Sequence, residues 1–214
     1  MTPHDSEAFH KDNIDRITET FYDAFEDDPF LLWMMGGPQE YRKIGAPLIR
    51  TWVRYTTLYG YGLRVQNFSA AVMFRKPGDI KMGFSRLFRS GMLKTQSLLG
   101  KEGMRRLMTA EKQVEAKRKA ITGDQRFLYC WMLGTAPADQ GKGCGTALME
   151  KGFEQYPAVS CYLETQKERN RQYYEGMGFE ERGRIHIEGT DFPIICMLKE
   201  TRERVHLQPI LGRG

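Results

Sequence analysis

An almost uninterrupted apolar run, RFLYCWMLGTAP over residues 126–137, gives way within three residues to QGKGCG at 140–145. Apolar positions at Leu148, Gly152, Phe153 and Tyr156 then follow with helical spacing. The run is too short and too rich in β-favouring side chains for a buried helix, so it predicts a strand covered on both faces. A strand that feeds a helix through small residues leaves several backbone N–H groups unpaired at the helix start, where the helix dipole adds partial positive charge. Gly141, Gly143 and Gly145 let a bulky anion approach the main chain, and Lys142 adds charge beside them. The segment predicts an anion site. A nucleoside-triphosphate loop needs GxxxxGK followed by Ser or Thr, which Q-G-K-G-C-G-T does not supply. A dinucleotide fingerprint needs GxGxxG, which GxGxG fits poorly, although Glu164 falls near the place of its ribose-binding acid.

The rest of the chain arranges itself around this unit. Ile14, Ile17, Phe21, Ala24 and Phe25 mark an amphipathic helix that EDDP at 26–29 closes, because proline disfavours helix in the residue before it. Ile44, Leu48, Trp52, Tyr55 and Tyr59 mark a second helix, and GYGLRVQN and FSAAVMFRKPG then read as a hairpin. Residues 79–121 carry a helical pattern broken near Gly91, Gly100 and Gly103, which predicts two or three short helices. Beyond the glycine segment come a buried strand at AVSCYLET, a helix about RNRQYYEGM, and two strands near GRIHIEG and FPIICMLK. The order strand, glycine turn, helix, strand, helix predicts an α/β domain with at least one parallel pair. At 214 residues the chain supports one ample core, so we read residues 1–214 as a single domain with a helical insert at about 79–121.

Charge is uneven. Residues 1–28 hold nine acids and two bases, whereas 81–119 hold eleven Lys or Arg and three Glu, a stretch that attracts an anion if the charges share a face. Nucleic acid and a phosphorylated cofactor both answer to that description, but no nucleic-acid motif is present, and none is expected as a partner. No run approaches the ~20 apolar residues of a membrane span, and the first residues lack the pattern of a signal peptide, so no membrane partner and a cytoplasmic location are expected. Cys130, Cys144, Cys161 and Cys196 lie far apart without zinc-like spacing and are expected to be reduced, buried thiols rather than metal ligands.

QGKGCG after a buried strand resembles the Q/R-x-x-G-x-G/A signature of the GNAT acetyltransferase superfamily, and YLETQKERNRQYYEGMGFEERG resembles that superfamily's second motif. The LET, RN, YE and GF pattern, with a long helical insert before the central strand, is most similar to puromycin N-acetyltransferase-like members. The clear likeness covers about residues 126–198; the first half is similar only in the order of its elements and in AFEDDPF. The resemblance implies the GNAT acyl-CoA N-acyltransferase fold, a mixed twisted sheet flanked by helices. It implies acetyl-CoA as acetyl donor, its pyrophosphate cradled by Gln140, Gly141, Lys142, Gly143, Cys144 and Gly145, and its pantetheine arm along the main chain of Leu133, Gly134 and Thr135. Asn170 is then either a helix N-cap or a contact to that arm.

By the same resemblance Tyr174 is the proton donor to the departing CoA thiolate, in place of merely packing its helix on the sheet. Glu164 is the first candidate for the base and is equally readable as a solvated carboxylate at a strand end. Asp27 and Asp28 are second choices, for base or acceptor binding. Cys144 has no neighbour in sequence that would activate it for a covalent acetyl-cysteine. The acceptor implied is a primary amine on a small molecule, attacked directly in a ternary complex, with the basic insert forming part of its side of the site. A homodimer is left open. The alternative is a catalytically idle acyl-CoA-binding sensor or interaction domain.

Overall fold

The computed structural model describes residues 5–201; residues 1–4 and 202–214 lie outside it, as do the parts of the single-domain and leader readings that fall on them. The chain begins with a short edge strand β1 (Ser6–Ala8), then α1 (Ile14–Ala24), α2 (Pro29–Met35) and α3 (Pro38–Tyr59). The hairpin β2 (Tyr61–Val65) and β3 (Ala70–Arg75) leads into α4 (Phe84–Ser90), α5 (Met92–Gln96) and α6 (Gly100–Thr122). After them come β4 (Phe127–Thr135), α7 (Cys144–Gln155), β5 (Ser160–Thr165), α8 (Glu168–Gly176), β6 (Glu180–His186) and β7 (Pro193–Lys199). The seven strands form one mixed sheet in the order β1-β2-β3-β4-β5-β7-β6, in which β4 and β5 run parallel and the other neighbours antiparallel.

Two elements of the front half differ from the sequence expectation. FLLWMM forms α2, because Asp28 caps it, Pro29 starts it, and Leu31, Met34 and Met35 fall on one buried face before Gly36 ends it in the left-handed region. The insert is two short helices and one of 23 residues, not two or three short ones. Gly91 and Gly100 do break it, but Gly103 lies inside α6, where a Cβ would stand 3.0 Å from the Met34 carbonyl oxygen. That glycine permits close packing of α6 on α2 and ends nothing.

Both faces of the sheet are covered. Leu148 and Met149 of α7 pack with Phe74, Cys130, Cys161 and Leu163 on one face; Ile17, Phe21, Leu48 and Ile49 of α1 and α3 pack with Ala71, Met73 and Met132 on the other. All four cysteines are buried and free.

The sheet opens at its middle. The β4–β5 pairing runs from Phe127 opposite Ser160 to Cys130 opposite Leu163 and stops. Beyond that point β4 continues only along β3, and β5 only along β7. A bulge helps to turn β4 away: Met73 faces Met132 and Phe74 faces Cys130, so Trp131 is the extra residue. Two cavities meet at the wedge between the strand ends.

Candidate active site

One cavity, of about 480 Å³, runs along the end of β4 and the start of α7. Leu133, Gly134, Thr135, Gln140, Gly141, Gly143, Cys144 and Gly145, eight of the positions singled out in the sequence, line it with Asn170, Tyr173 and Tyr174 of α8. Gly141 and Gly143 have φ values of 79° and 81°, which an L side chain rarely adopts, and the turn they make brings the chain into α7. No backbone carbonyl of the described residues accepts from the N–H groups of Gly141, Gly143, Cys144, Gly145 or Thr146. A Cβ on Gly141 would meet nothing within 4 Å, so its side of the loop is open. Free N–H groups, open backbone and a 12-residue helix behind them suit a pyrophosphate. Lys142 does not line the cavity; its Nζ lies 2.8 Å from Asp139 Oδ1. Opposite the loop, Lys167 and Arg169 line the cavity and both approach Asp27, Lys167 at 2.6 Å. The Lys167 hydrogen bond holds the Asp27 carboxyl below its usual range.

A second cavity, of about 490 Å³, lies between the sheet and the insert. Its apolar wall includes Trp52, Leu87, Met92, Leu107, Trp131 and Met132, of which Leu87, Met92 and Leu107 belong to the insert. Glu164 lines it, accepting a hydrogen bond from the Tyr129 hydroxyl at 2.6 Å and one from Arg118 Nη1 at 3.3 Å. It is not a solvated strand-end carboxylate. Burial raises its pKa, and the Arg118 charge and the Tyr129 hydrogen bond oppose the rise.

Five residues line both cavities: Phe25, Asp28, Leu133, Asn170 and Tyr174. Asn170 sits in the first turn of α8 whereas Lys167 holds the N-cap position, so the N-cap reading of Asn170 is corrected. The Tyr174 ring packs on Phe179 and Tyr173, and burial lifts its hydroxyl well above the ordinary phenol value, which keeps it protonated. Asp28 Oδ1 accepts from the Leu31 N–H at 2.9 Å. Burial outweighs that bond and pushes its carboxyl up to about 6. A carboxyl near 6 at the junction can take up a proton from an amine near neutral pH, and a protonated phenol lining the same junction can give one.

Sequence reasoning placed Asp28 second and missed Arg75, Arg118 and Tyr129. The signal for the first was local, an acid directly before a proline that starts an apolar run. The other three become neighbours only through strand register and the packing of α6.

Residues 102–179 match the Acetyltransferase (GNAT) family, a span that contains the glycine loop and α8. An uncharacterized N-acetyltransferase of Schizosaccharomyces pombe is 26% identical over 194 residues, covering 86% of this chain and 78% of that protein. Among solved structures, a histone acetyltransferase HPA2 and related acetyltransferase from Corynebacterium glutamicum superposes with a TM-score of 0.62 at 17% identity, covering 94% of this chain and 97% of the other. Arylalkylamine N-acetyltransferase 2 from Aedes aegypti gives 0.61 at 12% identity over 92% and 98%. These structural likenesses show the fold, and GNAT acetyltransferases in general use acetyl-CoA for N-acetylation. Residues 102–179 are thus similar to GNAT acetyltransferases, and the chain has the fold of the acetyltransferase structures it superposes on.

Proposed function

We propose that this protein transfers an acetyl group from acetyl-CoA to a primary amine of a small molecule, by direct attack in a ternary complex. The observation that carries the reading is the meeting of an anion-cradling cavity and a largely apolar one at Asp28 and Tyr174. Gln140, Gly141, Gly143, Cys144 and Gly145 would hold the pyrophosphate, with Lys142 adding charge from outside. The main chain of Leu133, Gly134 and Thr135, with Asn170, would hold the pantetheine arm. The donor supplies an activated acetyl thioester.

Asp28 takes the proton from the acceptor amine, directly or through a water, because its raised carboxyl suits that exchange near neutral pH. Tyr174 gives a proton to the departing sulfur. Glu164 positions Arg118 and Tyr129 in the wall of the acceptor cavity. A second reading keeps Glu164 as the base; its burial and its place in that wall favour it. The likeness to puromycin N-acetyltransferase-like members rests on the LET, RN, YE and GF pattern alone and points to small-molecule acceptors. An idle acyl-CoA-binding domain is disfavoured by a raised carboxyl and a protonated phenol at the junction.

The test is CoA release, followed with a thiol reagent, from acetyl-CoA and a panel of primary amines. Release that depends on an amine, with the N-acetylated product found by mass spectrometry, supports the reading. Acetyl-CoA binding without turnover of any amine favours the idle domain.

A further inference from the structure

Three basic side chains line the acceptor cavity, Arg75, Lys81 and Arg118. Two have counter-ions: Lys81 Nζ lies 3.1 Å from Glu115, and Arg118 lies 3.3 Å from Glu164. Arg75 is the exception. It is 8% exposed, yet among the described residues it has no carboxylate within ion-pair distance. Its Nη1 donates to the Ile80 carbonyl at 3.0 Å, whereas its Nε is shut off from solvent and has no acceptor. Glu111 lines the same cavity and its charge favours the Arg75 cation, but it is exposed and makes no hydrogen bond or ion pair to it. The guanidinium instead lies over the Trp131 ring, 4.3 Å from its centroid, and 5.4 Å from that of Tyr129.

A buried cation with no carboxylate paired to it is costly, and such a group at the wall of a binding cavity is one that a ligand can satisfy. The Arg75 Nη2 has no acceptor among the described residues and is not shut off from solvent, so it is the donor that a ligand carboxylate can reach. Asp28, a carboxyl, stands at the other end of the cavity, where the amine has to arrive. The cavity thus offers an acid for an amine, an apolar and aromatic wall, and a base for an acid. Leu133 lines the junction and Trp131, beneath the guanidinium, is two residues back along β4, so both ends of the cavity lie along one strand.

Resting on the acetyl-transfer reading above, we propose that the acceptor is an amino acid in the broad sense. It is a primary amine on an apolar or aromatic body, with a carboxylate at the far end of that body that pairs with Arg75. Arg75 is a specificity residue for that carboxylate.

The experiment compares kcat/KM for 4-(aminomethyl)benzoate, its neutral isostere 4-(aminomethyl)benzamide, and benzylamine. It uses the wild-type protein, Arg75→Met and Arg75→Lys, with acetyl-CoA binding measured by calorimetry on each. The wild type should favour the benzoate over the benzamide by about tenfold or more. The ratio should fall to about one in Arg75→Met and keep part of its value in Arg75→Lys, which retains the charge without the fork. A wild-type ratio near one, or a ratio that survives Arg75→Met, overturns the proposal even if Arg75→Lys does not fold. If acetyl-CoA binds and no amine turns over, this acceptor assignment fails while the cofactor site stands. If acetyl-CoA itself does not bind, the acetyl-transfer reading fails first.

Discussion

The Tyr129 hydroxyl donates a 2.6 Å hydrogen bond to Glu164 Oε2 across the strands β4 and β5, at the point where their pairing ends. Glu164 is one residue past Leu163, the last paired position of β5, and its other oxygen faces Arg118 of α6. One carboxylate therefore ties the opened sheet to the insert. Glu164→Gln keeps an acceptor for Tyr129 but leaves the Arg118 charge uncompensated. We expect a loss of about 3 kcal/mol in stability, read from urea denaturation. The fall in kcat/KM on acidification should keep its midpoint near 6, set by Asp28. Loss of that limb in Glu164→Gln would move the base role to Glu164.

Asp28 predicts the opposite pairing of effects. Its carboxyl is raised from 3.8 to about 6 by burial, so the folded state prefers it protonated. The stability this gives is fully present below pH 3.8 and is lost as pH rises through about 6. Asn is also a good N-cap and keeps the bond to Leu31. Asp28→Asn should lower kcat by roughly 10²–10⁴-fold. At pH 8 it should gain up to about 3 kcal/mol in stability. An Asp28→Asn protein as active as wild type would remove the base assignment.

Tyr174→Phe keeps the ring that packs on Phe179 and Tyr173 and removes the proton donor. Turnover should fall about 10²-fold while acetyl-CoA affinity and Tm stay close to wild type. Equal losses in affinity and turnover would mark Tyr174 as a packing residue.

Gly134 offers a test of how α1 fixes the cavity. A Cβ there would lie 2.9 Å from the Phe21 ring and 3.0 Å from Ala24 Cβ. Gly134→Ala must push α1 off β4, and we expect about 1–3 kcal/mol of destabilisation together with weaker acetyl-CoA binding. Unchanged melting and binding would mean that α1 yields without disturbing the cleft.

How much of this was legible in the sequence follows from range. The strand, glycine loop and helix at 127–155 read correctly because each signal is local: β-favouring apolar run, glycines, helical period. The insert misled at Gly103, since a glycine required by packing on Met34 looks in sequence like one that breaks a helix. The short β1 went unseen because three residues at a sheet edge carry no periodicity. The role of Tyr174 and the identity of the anion at the glycine loop came from motif resemblance, whereas the anion site itself was read from the glycines and the helix start. Arg75 read as the end of a strand, and only the register that sets it opposite Tyr129 and the bulge at Trp131 give it a role.

The most direct measurement is isothermal titration of acetyl-CoA into the wild-type protein and into Gly143→Glu, with melting curves to confirm that both are folded. Gly143 stands at the α7 N-cap with φ of 81°, so glutamate brings both bulk and negative charge to the proposed pyrophosphate cradle. The account predicts saturable binding by the wild type that a folded Gly143→Glu abolishes. A folded wild type that does not bind acetyl-CoA, or a folded variant that binds it unchanged, would contradict it.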